Sequence, residues 1–269
     1  MGFCIGGTLL AMLLAYHQAK NINIIRSATF LASMIDFSNP GDISVFIDEI
    51  QITRLEEHMV KKGYLEGHFM THTFNSLRAK ELIWRFLIKN YLEGKPPAPF
   101  DLLFWNTDST NMPFKMHSEY LRWLYLQNQL VTPGKIKIYD TPLDMRKIKT
   151  STFFVSTIKD HIAPWKTTYI GFQLMQGKKQ FLLGGSGHIA GIITPPSSKK
   201  YGYYINFKNA LNPDEWLEQA SYHPGSWWPE WFKWLKKQSG ELIQAPDFSE
   251  LSYQPIIAAP GSYVHQSMA

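Results

Sequence analysis

The sequence predicts an α/β fold, in which strands and helices alternate along the chain and the strands lie in a parallel sheet. Three observations predict it. Short apolar strands at Thr152–Ser156 and Lys179–Leu183 are separated by a segment long enough for a helix. An apolar run, Thr8–Tyr16, follows a glycine-rich turn at the start of the chain. Polar loops follow the strands where open α/β sheets carry their functional groups.

The composition is that of an ordinary globular protein, and it excludes several kinds of binding site and cross-link. The 269 residues carry a formal net charge of +5, and the sequence pI is near 9.1. The lysines are too dispersed for a nucleic-acid interface, although they suit an anionic substrate. The single cysteine excludes an internal disulfide and a cysteine-based zinc site, and it fits a reducing cytosol.

The first seven residues contain the pattern Gly-x-Cys-x-Gly, centred on Cys4. This pattern is typical of a nucleophile elbow, a sharp turn between a strand and a helix. Glycines at positions 2 and 6 are expected to let the backbone bend tightly and to expose the thiol above the sheet edge. A buried, inert cysteine is the alternative. The apolar run that follows lacks a signal-peptide charge and is too short to span a bilayer.

The order of elements predicts a core interrupted by an insertion. Ile24–Leu31 has the apolar, β-branched pattern of a buried strand. Residues 36–131 contain mainly helical patterns, so we predict a helical cap there. Residues 1–35 and 132–269 then form the core and a C-terminal tail. The core strands predicted in the second segment are Ile136–Tyr139, Thr152–Ser156 and Lys179–Leu183.

Two loops after predicted strands carry the remaining candidates for catalysis. Asp160 follows the strand that ends at Ser156, and His188 lies in a glycine-rich loop after the next strand. The order nucleophile, Asp, His is that of the α/β-hydrolase triad. We therefore predict an α/β-hydrolase fold in which Cys4 is the nucleophile and His188 its base.

The other predicted roles are supporting ones. Asp160 would fix the tautomer of His188 or act on a second substrate, and the backbone N–H of Ile5 would donate to an oxyanion. His161 and Trp165 are candidate substrate-binding residues. The alternatives are a turn residue for the aspartate and a surface position for the histidine. No cofactor is predicted. No metal site is predicted either, because the pair at His68 and His72, which has helical spacing, has no acidic partner.

Several segments together resemble poly(3-hydroxyalkanoate) synthases of the single-subunit, class I-like type. The resemblance covers essentially the whole chain, because independent motifs occur in the order of that family. These motifs are Gly2–Thr8, Trp105-Asn106, Asp108–Pro113, Asp160–Trp165, Gly184–Gly191, Lys200–Tyr203 and His223–Pro229.

The resemblance implies an acyltransferase that polymerises (R)-3-hydroxyacyl-CoA, with 3-hydroxybutyryl-CoA as the expected substrate, and releases CoA. It implies that Cys4 accepts the acyl group, that His188 is its base and that Asp160 helps to activate the 3-hydroxyl. The implied partners are the hydroxyacyl-CoA, the growing polyester chain, the surface of a storage granule and a second copy of the chain bound through the cap. The implied location is the cytoplasm, on granules, with no nucleic acid and no membrane span.

The chain departs from the family pattern at its beginning. Family members have a long N-terminal region and the first core strands before the nucleophile, and those strands are missing here. We therefore expect a synthase fragment that begins at the elbow and has an incomplete sheet. The alternative functions are an inactive remnant that binds granules or a partner synthase, and an esterase or depolymerase of the same fold. The cysteine at position 4 argues against a hydrolase, since those enzymes usually carry serine.

Overall fold

The structure is a computed structural model that describes residues 1–77, 79–96, 108–208, 210–247, 252–262 and 265–266. The chain divides into two compact units. The first contains residues 1–61 and 114–238, and the second contains residues 62–113 and 239–269. The predicted division at residues 36 and 131 remains a prediction. The Trp105-Asn106 motif lies outside the described residues.

No strand of the described chain exceeds 7 residues, and the longest helices there are α1 with 15 residues and α2 with 14. The strands are β1 (Gly2–Phe3), β2 (Ser27–Leu31), β3 (Tyr64–Leu65), β4 (Met112–Pro113), β5 (Lys137–Ile138), β6 (Thr141–Pro142), β7 (Ser151–Thr157), β8 (Lys179–Gly184), β9 (Gly202–Ile205) and β10 (Ser221–Pro224). The α-helices are α1 (Ile5–Ala19), α2 (Glu49–Lys62), α3 (Gly67–Leu77), α4 (Phe114–Glu119), α5 (Trp165–Leu174), α6 (Pro213–Glu218) and α7 (Trp228–Gln238).

Tighter and wider helical turns connect these elements. The 3₁₀ helices are Gly41–Phe46, Gln129–Val131, Met145–Lys147 and Pro196–Ser198. The π-helical segments are Lys80–Trp84, Leu87–Leu92 and Tyr120–Leu126. The helical character predicted for residues 36–131 is therefore present in the described part, although much of it is not α-helix.

The main sheet has six strands in the order β1-β2-β7-β8-β9-β10. The first four strands run parallel, as the alternation of strands and helices predicts. The last two strands, which the sequence analysis did not predict, are antiparallel additions at one edge of the sheet. The strand predicted at Ile136–Tyr139 lies outside this sheet. Its central residues form β5, which pairs with β6 in a separate hairpin because the turn at Tyr139 and Asp140 reverses the chain at once.

Aromatic side chains fill both faces of the main sheet. On one face, Phe30 and Phe154 of adjacent parallel strands stack with their ring centroids 4.3 Å apart, and both are fully buried beneath α1 and α5. On the other face, Phe153 packs against Trp234 of α7 at 5.3 Å. Trp227 belongs to the same cluster, and Trp228 and Trp231 pack against it with Trp234. This burial of large apolar surfaces fixes the strand ends from which the polar loops emerge.

The second unit is described by its own contacts. Its strands β3 and β4 pair antiparallel through Tyr64–Pro113 and Leu65–Met112. The backbone N–H of Gly67, at the start of α3, donates to the side-chain oxygen of Asn111 at 2.9 Å. This bond satisfies one of the N–H groups that a helix start leaves without an intrahelical acceptor.

Candidate active site

Cys4 lies at a sharp turn between β1 and α1. Its backbone angles are φ 52° and ψ −124°, a conformation that residues other than glycine rarely adopt. The Cys4 N–H donates to the carbonyl of Leu31 at 2.9 Å, and the Cys4 carbonyl accepts from Gly7 N–H at 2.9 Å. The turn is therefore held from the neighbouring strand and from the helix. This is the strained strand-to-helix geometry that the elbow pattern predicts.

Close packing explains why two glycines surround this turn. A Cβ atom on Gly2 would lie 2.5 Å from the Gly6 carbonyl oxygen, and one on Gly7 would lie 2.0 Å from Ser33 Oγ. A Cβ atom on Gly6 would meet nothing within 4 Å. The prediction that position 6 requires glycine is therefore wrong. The requirement falls on Gly7, because α1 approaches the segment after β2 most closely there.

Asp160 and His188 meet above the carboxyl ends of β7 and β8. Asp160 Oδ2 lies 2.8 Å from His188 Nδ1, and the aspartate side chain is fully buried. The other carboxylate oxygen, Oδ1, accepts backbone N–H groups from Ile162 and Ala163, each at 2.9 Å. The carboxylate is thus immobilised by its own loop and directed at one ring nitrogen of the histidine.

The histidine connects this carboxylate to the thiol. Burial lowers the pKa of His188, but hydrogen bonds to Asp160 and to Cys4, together with the charges of both groups, outweigh it and raise that pKa to about 10. The Phe3 ring packs against the imidazole with 5.0 Å between centroids. The structure therefore brings Cys4, His188 and Asp160 together, with a bond of 2.8 Å between His188 and Asp160, whereas their chemical roles remain predictions.

The three supporting candidates lie at different places. Ile5 is the first residue of α1, so its backbone N–H has no intrahelical acceptor and is close to Cys4 in the chain. His161 lies in the Asp160 loop and is half-buried. Trp165 begins α5 with only 8% of its surface exposed and belongs to the hydrophobic core.

A small pocket lies beside the thiol, and its walls contain residues that the sequence did not indicate. Its volume is about 10 Å³, which is room for roughly one water-sized group. The lining residues are Cys4, Ile5, Thr8, Ala32, Met34, Phe37, Tyr120, Tyr125, Ile162 and Ala163. The Asp160 loop therefore contributes Ile162 and Ala163 to this wall, while His161 and Trp165 do not line it.

The two tyrosines are the lining residues that sequence reasoning missed. They are five positions apart, or about 1.4 turns of an α-helix, which places them on different faces. Residues 120–126 instead form a π-helix, in which Gln127 N–H donates to the Arg122 carbonyl at 3.0 Å. This i→i+5 spacing brings the two rings to a centroid separation of 5.3 Å. The sequence of this segment, Tyr-Leu-Arg-Trp-Leu-Tyr-Leu, gave no signal for it.

Two further site classes receive no support from the described residues. Within the described ranges, no group of three or more His, Cys, Asp or Glu side chains could hold a metal ion. In the same part of the chain, no helix is both long enough and apolar enough to cross a membrane.

Comparison with known proteins gives matches over nearly the whole chain. The chain is 45% identical over 264 residues to a poly(3-hydroxyalkanoate) polymerase of Methylorubrum extorquens, covering 98% of this chain and 44% of that protein. It is 43% identical to the polymerase subunit PhaC of Rhizobium etli and 40% identical to that of Cupriavidus necator, covering 98% of this chain in both cases and 41% and 46% of those proteins.

The chain therefore spans less than half the length of these relatives. The resemblance to poly(3-hydroxyalkanoate) synthases that the motifs predicted is confirmed over almost all residues of this chain. A family model described as the alpha/beta hydrolase fold also matches residues 1–195. This match agrees with the elbow, the parallel strands and the loops that carry Asp160 and His188. The chain belongs to the α/β hydrolase fold family.

Proposed function

We propose that this chain carries the catalytic centre of an acyltransferase that polymerises (R)-3-hydroxyacyl-CoA into polyhydroxyalkanoate through a thioester on Cys4. One observation carries the proposal: a cysteine on a strained elbow lies close enough to His188 to raise the pKa of that histidine, and His188 Nδ1 is held by a buried aspartate. The names of the similar proteins, poly(3-hydroxyalkanoate) polymerases, support the choice of substrate class.

In the first step, the acyl group moves from CoA to the enzyme. The Cys4 thiolate attacks the thioester carbonyl, and the carbon–sulfur bond to CoA breaks. His188 carries the thiol proton in the meantime and returns it to the departing CoA sulfur. The pKa of about 10 supports this role, because the imidazolium is the stable form at neutral pH. The Ile5 N–H would donate to the developing oxyanion.

In the second step, the acyl group moves to a hydroxyl. His188, now neutral, accepts the proton of a 3-hydroxyl group, whose oxygen attacks the acyl-Cys4 carbonyl. An ester bond forms, the bond to Cys4 breaks, and the sulfur regains its proton from His188. Asp160 acts through His188 in both steps, because both of its carboxylate oxygens are already engaged. His161 and Trp165 are proposed to position substrate from outside the small pocket.

The size of the pocket beside Cys4 favours a short acyl group. A volume of about 10 Å³ accommodates one small group, such as a hydroxyl or methyl, next to the thioester. We therefore propose 3-hydroxybutyryl-CoA as the substrate. The net charge of +5 suits the anionic CoA moiety. We also propose a homodimer formed through the helical cap. The proposed partner is the granule surface, and the proposed location is the cytoplasm, on granules.

The deciding experiment measures CoA release and polymer formation from (R)-3-hydroxybutyryl-CoA by the purified chain. We expect both products, and we expect Cys4→Ala to lower CoA release by at least ~10³-fold because no acyl-enzyme can form. Gly6→Ala is the matched control, since it changes the elbow sequence where a methyl group has space.

Two results would contradict the proposal. Equal CoA release by Cys4→Ala and the wild type would exclude the covalent thioester. Release of free 3-hydroxybutyrate in place of polymer would identify a hydrolase, since water would then be the acyl acceptor in the second step.

A further inference from the structure

The π-helix at residues 120–126 places a pair of phenols at the nucleophile. The Tyr120 hydroxyl donates to the Tyr125 hydroxyl oxygen at 3.4 Å, and both side chains line the pocket that contains Cys4. Phe37 supports them, with its ring centroid 4.9 Å from that of Tyr125 in an edge-on contact. The pair is therefore fixed by packing as well as by its helix.

The hydroxyl groups of this pocket differ in whether their hydrogen atoms already form a hydrogen bond. Thr8 Oγ1 donates to the Met34 carbonyl at 2.7 Å, and the Tyr120 hydroxyl donates to Tyr125. The Tyr125 hydroxyl accepts that bond, and its own hydrogen has no acceptor among the residues that the structure describes. Tyr125 therefore offers a hydrogen-bond donor to whatever occupies the pocket.

The position of the pocket identifies which part of an acyl group it would meet. Its walls come from the segments after β2, such as Met34 and Phe37, and from Ile162 and Ala163 after β7. The room for one water-sized group matches a substituent near the thioester better than an extended alkyl chain. In a 3-hydroxyacyl group bound to sulfur, the hydroxyl oxygen is attached two carbons from the carbonyl.

We infer that Tyr125 donates a hydrogen bond to the 3-hydroxyl oxygen of the acyl group carried by Cys4, and that this bond selects 3-hydroxyacyl over unsubstituted acyl thioesters. The inference rests on the proposed function. Tyr120 is a positioning residue that holds the Tyr125 oxygen. Tyr125 leaves the substrate hydroxyl hydrogen free for a base.

The protonation of the phenols agrees with donation. Burial and the nearby Cys4 charge raise the pKa of Tyr125 to about 12, although the bond from Tyr120 acts in the opposite direction. Burial also raises the pKa of Tyr120 well above its usual value, with further contributions from Tyr125 and Cys4. Both hydroxyls therefore keep their hydrogen atoms throughout the pH range in which the thiol reacts.

The test compares acylation of Cys4 by two thioesters that differ only in the 3-hydroxyl group, 3-hydroxybutyryl-CoA and butyryl-CoA. Acyl-Cys4 is quantified by mass spectrometry of the intact wild-type chain, Tyr125→Phe and Tyr120→Phe. We expect Tyr125→Phe to slow acylation by the hydroxylated thioester roughly 3- to 10-fold and to leave the butyryl rate unchanged. Tyr120→Phe is expected to have a smaller effect of the same kind, because the donor remains.

Alkylation of Cys4 by iodoacetamide serves as the internal control, because it requires the elbow and His188 but not the acyl pocket. Equal rates in all three proteins would show that the site is intact. With that control satisfied, an unchanged ratio of the two acylation rates in Tyr125→Phe would overturn the inference alone. Failure of 3-hydroxybutyryl-CoA to acylate the wild-type chain would overturn the proposed function, and the inference with it.

Discussion

The parallel half of the main sheet (β1, β2, β7 and β8) and its antiparallel half (β9 and β10) differ in what their strands lead to. Each proposed catalytic group follows a parallel strand: Cys4 follows β1, Asp160 follows β7 and His188 follows β8. The antiparallel strands lead to α6 and α7, which contribute tryptophans to the core. One half thus carries the proposed catalytic groups, and the other covers the sheet.

The two halves are nevertheless joined at the histidine loop. Trp227 Nε1 donates to the Gly191 carbonyl and Trp228 Nε1 to the Ile192 carbonyl, each at 3.0 Å. Gly191 also donates its N–H to the carbonyl of Gly187, next to His188. The antiparallel half therefore has a second task beyond packing, because it fixes the loop from which the proposed base emerges.

The largest effect is expected in the parallel half, at the aspartate. Asp160→Asn should lower CoA release from 3-hydroxybutyryl-CoA by about 10²- to 10⁴-fold, because the amide neither stabilises the imidazolium nor selects the correct tautomer. The alkylation rate of Cys4 by iodoacetamide near neutral pH should fall as well. The rates are compared at equal concentrations of folded protein.

The same variant has a defined dependence on pH. The pKa of His188 is about 10 in the folded chain against an ordinary value of 6.5, so its stabilising contribution is complete below pH ~6.5 and is lost as pH rises toward 10. The difference in unfolding free energy between the wild type and Asp160→Asn should therefore be larger at pH 6 than at pH 9.5. Urea denaturation at constant ionic strength measures it, and a constant difference would contradict the ion pair.

Much of the parallel half could be predicted from the sequence because its signals are local. The strands at β2, β7 and β8 appear as apolar runs, Asp160 and His188 follow two of these runs, and Cys4 stands in the Gly-x-Cys-x-Gly pattern. Once the strands are parallel, their carboxyl ends must share one edge. The meeting of the three side chains follows from that topology.

The features that could not be predicted depend on contacts distant in sequence or on unusual helical geometry. The requirement for glycine at position 7 comes from Ser33, 26 positions away, and no pattern around the elbow reveals that contact. The tyrosine pair depends on a π-helix, whereas periodicity analysis assumes α-helical spacing. The antiparallel strands β9 and β10 are short and partly polar, so their pairing depends on β8 as a template.

A second, smaller effect tests how the elbow is packed. Gly7→Ala should destabilise the chain by about 2–3 kcal/mol, because the new methyl group would overlap Ser33 Oγ in a buried contact. Gly6→Ala, one position earlier in the same helix, should be neutral or should stabilise by up to ~1 kcal/mol. Urea denaturation of both variants gives the comparison. Equal losses of stability at the two positions would show that sterics at Ser33 are not the cause.

The smallest effect concerns the tryptophans, where one matched pair separates the two tasks of the antiparallel half. Trp228 Nε1 donates to Ile192 in the histidine loop, whereas Trp231 Nε1 donates to Thr29 Oγ1 of β2, each at 3.0 Å. Replacing either by phenylalanine removes one such bond, and each variant should lose about 1 kcal/mol of unfolding free energy.

Reactivity distinguishes the two variants, although their losses of stability are similar. Trp228→Phe should also slow alkylation of Cys4, by roughly 3-fold, because the loop that carries His188 loses an anchor worth about one hydrogen bond. Trp231→Phe should leave the alkylation rate unchanged, because its partner Thr29 lies in the middle of a strand and away from the loop. If both variants slowed alkylation equally, the antiparallel half would act on the site only through global stability. The separate positioning task argued from its hydrogen bonds would then be wrong.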